Sequence, residues 1–166
     1  MNDFEQLYRR HASALLRFAW GLSGSRAVAE DLVQETFVRI LVRAPRFATR
    51  SALAYLLAVV RNTYLKGRRR TARETPLPDD LPAATDDLDL RIDDRDRLAA
   101  VTRALSELPE GERSALLLRV DHELPYDEIA ATLDISVGAA KVRVHRARLR
   151  LARLCRDEET EGVNHA

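Results

Sequence analysis

The chain has 166 residues, of which 46% are hydrophobic and 32% charged, with 27 Lys and Arg against 26 Asp and Glu for a net charge of +1. An apolar fraction of that size excludes disorder throughout, and near-neutrality excludes a polycation, so any affinity for a polyanion must come from local segregation of charge. The single cysteine, Cys155, excludes an internal disulfide and any multi-cysteine metal site within one chain, and it suits a reducing cytosol.

Acids and bases mix within the opening MNDFEQLYRRH, and no apolar run approaches the roughly 18 residues of a membrane span. The expectation is a soluble, cytoplasmic protein. Phe4, Leu7, Tyr8, Ala12, Leu15, Leu16 and Ala19 recur at helical spacing, and GLSGS ends that pattern. A second helix is expected from Arg26 to Val42, with Val28, Leu32, Val33, Phe37, Ile40 and Leu41 as its apolar face and Pro45 as its stop. Its polar face gathers Asp31, Gln34 and Glu35 at i, i+3 and i+4, a spacing that suits either a solvated surface or a protein-docking surface. Acid–base catalysis by that pair of carboxylates lacks a His, Cys or metal-ligand set to join it.

A third helix starts after Thr49 or Ser51, each a good N-cap, and runs through ALAYLLAVVRNTYLKGRRR. Arg61, Lys66, Arg68, Arg69, Arg70 and Arg73 make this segment basic with no intervening acid, and Tyr55 and Tyr64 lie within or near it. Rings beside a basic track suit single-stranded nucleic acid, on which bases stack, but a Tyr next to Leu56 or Leu65 suits a core equally.

From Glu74 to Arg97 the composition changes to prolines at 76, 78 and 82 and nine acids against three Arg. Few large apolar groups are present to offset the entropy of ordering, so the segment reads as a flexible acidic linker. Beyond it, RLAAVTRALSEL, GERSALLLRV and YDEIAATL read as helices, the first broken near Pro109 and the last following Pro125. The turn DIS and a long basic helix complete a helix-turn-helix, with Ile129, Ala130 and Leu133 packing between helices, Ile135 plugging the turn and Ser136 as N-cap. Asp134 occupies the turn position where glycine often goes left-handed.

On the last helix Val137, Ala140, Val144, Ala147, Leu151 and Leu154 form the expected core stripe. Arg143, Arg146, Arg150 and Arg153 form a second stripe, while Lys141 and Arg148 flank the first. Like charges so spaced weaken a helix by some tenths of a kcal/mol per pair, which a polyanionic partner would offset. Arg143 and Arg146 are placed to reach base edges, and Lys141, Arg148 and Arg150 to reach phosphates. Val142 and Leu149, off the core stripe, suit either a thymine methyl or ordinary exposure. The expected organisation is all-α: a first helical domain over residues 1–73, the linker over 74–97, a helix-turn-helix domain over 98–156 and a disordered tail over 157–166.

AEDLVQETFVRI, SALAYLLAVVRNTYLKGRRR and LPEGERSALLLRVDHELPYDEIAATLDISVGAAKVRVHRARLRL together closely resemble the extracytoplasmic-function (ECF) group of bacterial sigma factors, the promoter-recognition subunits of RNA polymerase. The resemblance spans Phe4 to about Leu154 and implies a protein with no catalytic chemistry, cofactor or metal. It implies that Asp31, Gln34 and Glu35 dock on the clamp helices of core RNA polymerase. Tyr55, Arg61, Asn62, Tyr64, Lys66 and Arg68 would engage a melted promoter element, and the helix from Ser136, with Lys141, Arg143, Arg146, Arg148 and Arg150, would read a farther upstream element as duplex. The linker would lie in or near the RNA-exit path. An anti-sigma factor is an implied partner, with Val142 and Leu149 as candidate contacts. The chain departs from the family pattern at Tyr55, where Trp is usual, and at Ala139 and Val142, where small hydroxyl residues are frequent. A conventional helix-turn-helix regulator that binds duplex DNA without polymerase is the competing reading of the second domain, and a nucleic-acid enzyme would need the clustered ligands this chain lacks.

Overall fold

The computed structural model describes residues 3–43, 51–74 and 92–163, and all regular structure among them is helical. The chain divides into two compact units, Met1–Ala84 and Thr85–Ala166. The first holds α1 (Asp3–Ser23), α2 (Arg26–Arg43) and α3 (Ala52–Glu74); the second holds α4 (Ile92–Ser106), α5 (Glu110–Val120), α6 (Tyr126–Leu133) and α7 (Val137–Val163).

In the first unit α1 turns sharply into α2. Gly24 takes φ 69°, where a side chain would be strained, and its N–H donates to Trp20 O at 2.8 Å. Ser25 then caps α2, its Oγ accepting the Val28 N–H at 3.3 Å, and Ser51 caps α3 by accepting the Ala54 N–H at 3.2 Å. Leu15, Phe18 and Leu22 of α1, Leu32, Val33, Phe37 and Ile40 of α2, and Leu56, Leu57, Val60 and Tyr64 of α3 are buried together. Phe37 also meets the rings of Phe4 and Tyr8, with centroids at 6.0 and 4.7 Å. The predicted apolar face of α2 is narrower than expected, because Val28 and Leu41 are exposed.

The second unit is built around α5, whose Ala115, Leu116 and Leu118 are buried with Ala104 and Leu108, with Leu124, with Ile129, Ala130 and Leu133 of α6, and with Ala140, Val144 and Ala147 of α7. Pro109 and Pro125 stand at the N-caps of α5 and α6. Arg113 is buried and donates from Nη2 to Ser106 O at 3.1 Å and Leu108 O at 3.0 Å, so this arginine satisfies carbonyls where α4 ends. Glu123, between α5 and α6, takes φ 53°, a left-handed position not anticipated from the sequence.

Two predicted boundaries move. Residues 75–91 of the expected linker lie outside the described residues, but Ile92–Arg97 form the start of α4. The acids that suggested a linker there, Asp93 and Asp94, occupy the first turn of a helix, where the macrodipole favours them. Of the expected tail, residues 157–163 belong to α7, which continues to Val163, and residues 164–166 lie outside the described residues. No Gly or Pro stands between Gly138 and Gly162, and extending an existing helix costs little.

The turn between α6 and α7 takes the conformation expected of it. Asp134 is left-handed at φ 54° and ψ 51°, and the Ile135 N–H donates back to Ala130 O at 3.0 Å. Asp134→Gly removes the Cβ cost of that conformation and should stabilise the second unit by up to about 1 kcal/mol. Slower hydrogen exchange of α6 and α7 amides in the full chain is the readout; faster exchange would mean that the Asp134 side chain supplies a contact that outweighs its strain.

Candidate nucleic-acid interface

The left-handed turn at Asp134 delivers the chain to Ser136, whose Oγ accepts the Ala139 N–H at 3.1 Å and so caps α7. Ala140, Val144 and Ala147 then point into the core, the two alanines letting α7 lie close to its neighbours. The exposed positions of α7 include Gly138, Val142, His145, Arg146 and Leu149, opposite the core stripe, and Lys141 and Arg148, on its flank. A methyl group at Gly138 would have nothing within 4 Å, so the first turn of α7 is open to close approach by a partner.

The predicted arginine stripe is not one surface. At roughly 100° per residue, positions seven apart return to nearly the same side, which pairs Arg143 with Arg150 and Arg146 with Arg153. The first pair faces the start of α5. Arg143 is half-buried over Gly111, where a methyl group would come within 2.7 Å of its Nη1. Arg150 Nε stands 2.8 Å from Oε2 of Glu112, a residue only 8% exposed. Arg146 and Arg153 are turned outward. The expectation that Arg143 and Arg150 present their charge on the same face as Arg146 is therefore corrected by their positions against α5.

Tyr126, in the first turn of α6, joins this surface without having been anticipated. Its ring lies 4.7 Å from Arg119 Cζ and 5.8 Å from Lys141 Nζ, so two cations meet one ring. Arg119 also donates to Leu124 O at 3.1 Å. No local pattern brings Arg119, Tyr126 and Lys141 together, as they come from three helices. His145 was legible in principle, since Gly138, Val142, His145 and Leu149 follow one another at helical spacing.

In the first unit the residues predicted for a melted element occupy several sides of α3. Tyr55, Asn62 and Lys66, spaced seven and four apart, share one side; Tyr55 is half-buried, and Asn62 and Lys66 are exposed. Arg61 and Arg68, also seven apart, share another. Tyr64 is a core residue, 5% exposed, so its ring is not a stacking platform in this structure. The buried stripe of Leu56, Leu57, Val60 and Thr63 carries it inward. Its hydroxyl and ring edge meet one exposed cation: Arg68 donates to Tyr64 Oη at 3.2 Å, with its guanidinium 5.8 Å from the ring centroid.

On α2, Asp31, Gln34 and Glu35 are all exposed on one side, with Glu35 ion-paired to Arg39. Val38, Leu41 and Val42 continue that side toward the C-terminal end, 58%, 60% and 79% exposed. Among the described residues no group of three or more His, Cys, Asp or Glu is placed to hold a metal, and no helix is long and apolar enough to cross a membrane.

A capped basic helix that follows a left-handed turn, in an all-α chain of two units, defines a helix-turn-helix protein of the nucleic-acid-binding kind. Residues 7–74 match Sigma-70 region 2 and residues 98–151 match Sigma-70 region 4. The chain belongs to the ECF RNA polymerase sigma factors. It is 34% identical over 142 residues to the ECF RNA polymerase sigma factor EcfG of Rhodopseudomonas palustris, covering 85% of this chain and 78% of that one. It is 34% identical over 168 residues to the RNA polymerase sigma-E factor of Streptomyces antibioticus, covering 98% and 88%. With the ECF sigma factor SigE of Mycolicibacterium smegmatis, 33% identical over 156 residues, it shares 91% of its own length but spans only 61% of the relative. Among solved structures it is similar to the sigma factor RpoE in complex with the anti-sigma factor NepR from Bartonella quintana, with a TM-score of 0.76, 29% identity and coverage of 94% and 98%. It is also similar to CnrH in complex with the cytosolic domain of CnrY, with a TM-score of 0.69, 28% identity and coverage of 93% and 88%.

The two tyrosines of α3 separate by experiment. Tyr64→Ala should destabilise the first unit by about 3 kcal/mol or more, as large-to-small core changes do, and Tyr55→Ala by less than half of that. Denaturation followed by Trp20 fluorescence measures both; equal, small effects would return Tyr64 to the surface.

Proposed function

We propose that this chain docks on core RNA polymerase and directs it to specific promoters, reading one element as duplex through α7 and engaging a second, melted element through α3. The observation that carries this reading is the exposed surface of α7, which opens with the unobstructed Gly138 and carries Lys141, Arg146 and Arg148 beyond it, in a chain whose units match sigma regions 2 and 4.

Each step follows from chemistry the side chains possess. Lys141 and Arg148 neutralise phosphates and release counterions, each contact steepening the salt dependence of binding by about 0.9 in logarithmic slope. Arg146 has the forked donors that suit a guanine edge, and Ser136 brings the N-terminus of α7 to the backbone. Arg143, seated over Gly111, borders the same surface on its α5 side. On α3, Asn62 and Lys66 beside the half-buried Tyr55 ring form the side that receives unpaired bases, with Arg61 and Arg68 steering the backbone. Extruding a base costs a few kcal/mol, which those contacts must offset. Asp31, Gln34 and Glu35 dock on a basic surface of the polymerase, because a side of α2 that carries two carboxylates is repelled by DNA.

The chain adds no catalytic step of its own, acts in the cytoplasm where polymerase and promoter are, and is held in check by an anti-sigma factor, the kind of partner present in the related RpoE–NepR structure.

Run-off transcription from a promoter library, with core polymerase with and without the chain, tests the reading. Chain-dependent transcripts that share two spaced upstream motifs are expected. Tight duplex binding by the chain alone, with no specific transcripts, would instead make it a conventional regulator. The double variant D31R/E35R should lower affinity for core polymerase at least tenfold while leaving α2 helical; unchanged affinity would remove this side of α2 from the interface.

A further inference from the structure

The start of α5 carries two acids in its first turn, as α4 and α6 do, but these lie under α7. Glu110, Gly111 and Glu112 place two carboxylates and a bare backbone position directly under the α5-facing side of α7. Arg143 lies over Gly111, and Arg150 is drawn to Glu112. Glu110 is otherwise engaged, accepting a hydrogen bond from Ser114 Oγ at 2.6 Å.

Glu112 differs from the exposed carboxylates of the chain. It is 8% exposed, and its Oε2 has no aligned hydrogen bond, so its charge is compensated by the Arg150 guanidinium at 2.8 Å. Burying a carboxylate is costly unless it is paired, and removing its partner leaves that cost unmet. Arg150 is the other way round: 53% of its side chain is exposed, and it stands 14 residues beyond Ser136, about 21 Å along the helix at ~1.5 Å per residue. For Arg150 to turn to a DNA phosphate it must abandon a buried carboxylate in exchange for the release of roughly one counterion. A phosphate brought to the existing pair would also face the Glu112 charge.

We propose that Glu112 is a positioning residue that withholds Arg150 from DNA phosphate, so that the basic charge of α7 acts through Lys141, Arg146 and Arg148 and its sequence-independent affinity is held down. The inference rests on the reading of α7 as the duplex-binding helix. It bears on specificity, because phosphate contacts add affinity to every sequence alike, whereas base contacts discriminate.

The test measures binding of the full chain to a fluorescent random-sequence duplex between about 50 and 200 mM salt, reading the slope of log affinity against log salt. Glu112→Gln should release Arg150 and steepen the slope by about 0.9, with tighter binding at each salt concentration. Arg148→Ala, as comparator, should make it shallower by about 0.9. The double variant E112Q/R150Q removes both charges and leaves no stranded carboxylate, and it should keep the parent slope. A shallower slope for that double variant would show Arg150 on phosphate in the parent and overturn the proposal, and so would an unchanged slope for a folded E112Q. Should E112Q fail to fold, the double variant decides alone. A parent chain without salt-dependent binding would also overturn it, since α7 would then have no phosphate-binding surface from which Arg150 is withheld. No polymerase is present, so failure of run-off transcription is a separate result.

Discussion

The second unit depends on how α7 is seated. Ala140, Val144 and Ala147 fill the space between α5 and α6, and the left-handed residue Asp134 sets the direction in which the helix leaves the turn. Rotating α7 by one residue, about 100°, would carry Lys141 into the core and Ala140 into solvent. Burial of that apolar stripe therefore also orients the charges. Every cation of α7 gains its role from the same packing, whether it faces outward like Arg146 and Arg148 or meets another helix like Arg143 and Arg150.

Charge in this chain is balanced overall and sorted locally. In the first unit, acids stand on an exposed side of α2 and bases on α3; in the second, bases crowd α7 while carboxylates begin α5. Such sorting costs some helix stability through like-charge repulsion, which the ordinary interleaving of Glu with Arg would avoid. The departures from sorting carry as much information. The pairs Glu35 with Arg39 and Glu112 with Arg150 place opposite charges inside otherwise single-sign patches, one on the surface and one against the core. An exposed pair contributes little, whereas a pair with a buried member constrains what its cation can do.

The family resemblance and the geometry support each other at different levels. Matches to both sigma regions, in order along one chain, define the family; they do not say which side chains of this chain face a partner. Burial separates Tyr64 from Tyr55, and contact with α5 separates Arg150 from Arg148. These distinctions decide which family-derived roles each side chain is free to perform.

The all-α class, the three helices of the first unit, the capped helix-turn-helix and the Asp134 turn were legible in the sequence, because periodicity, caps and turn residues act through neighbours a few positions apart. Composition misled at Ile92–Arg97, where acids that suit the first turn of a helix were read as a linker, and past residue 156, where no Gly or Pro stops α7 before Gly162. Only the tertiary structure decided that Tyr64 is buried, that Arg119, Tyr126 and Lys141 meet, and that Glu112 holds Arg150. Helical spacing gives the side of a helix on which a residue stands, but not which other helix covers that side. The buried carboxylate that fixes Arg150 is 38 residues away along the chain, and no pattern within α7 records it.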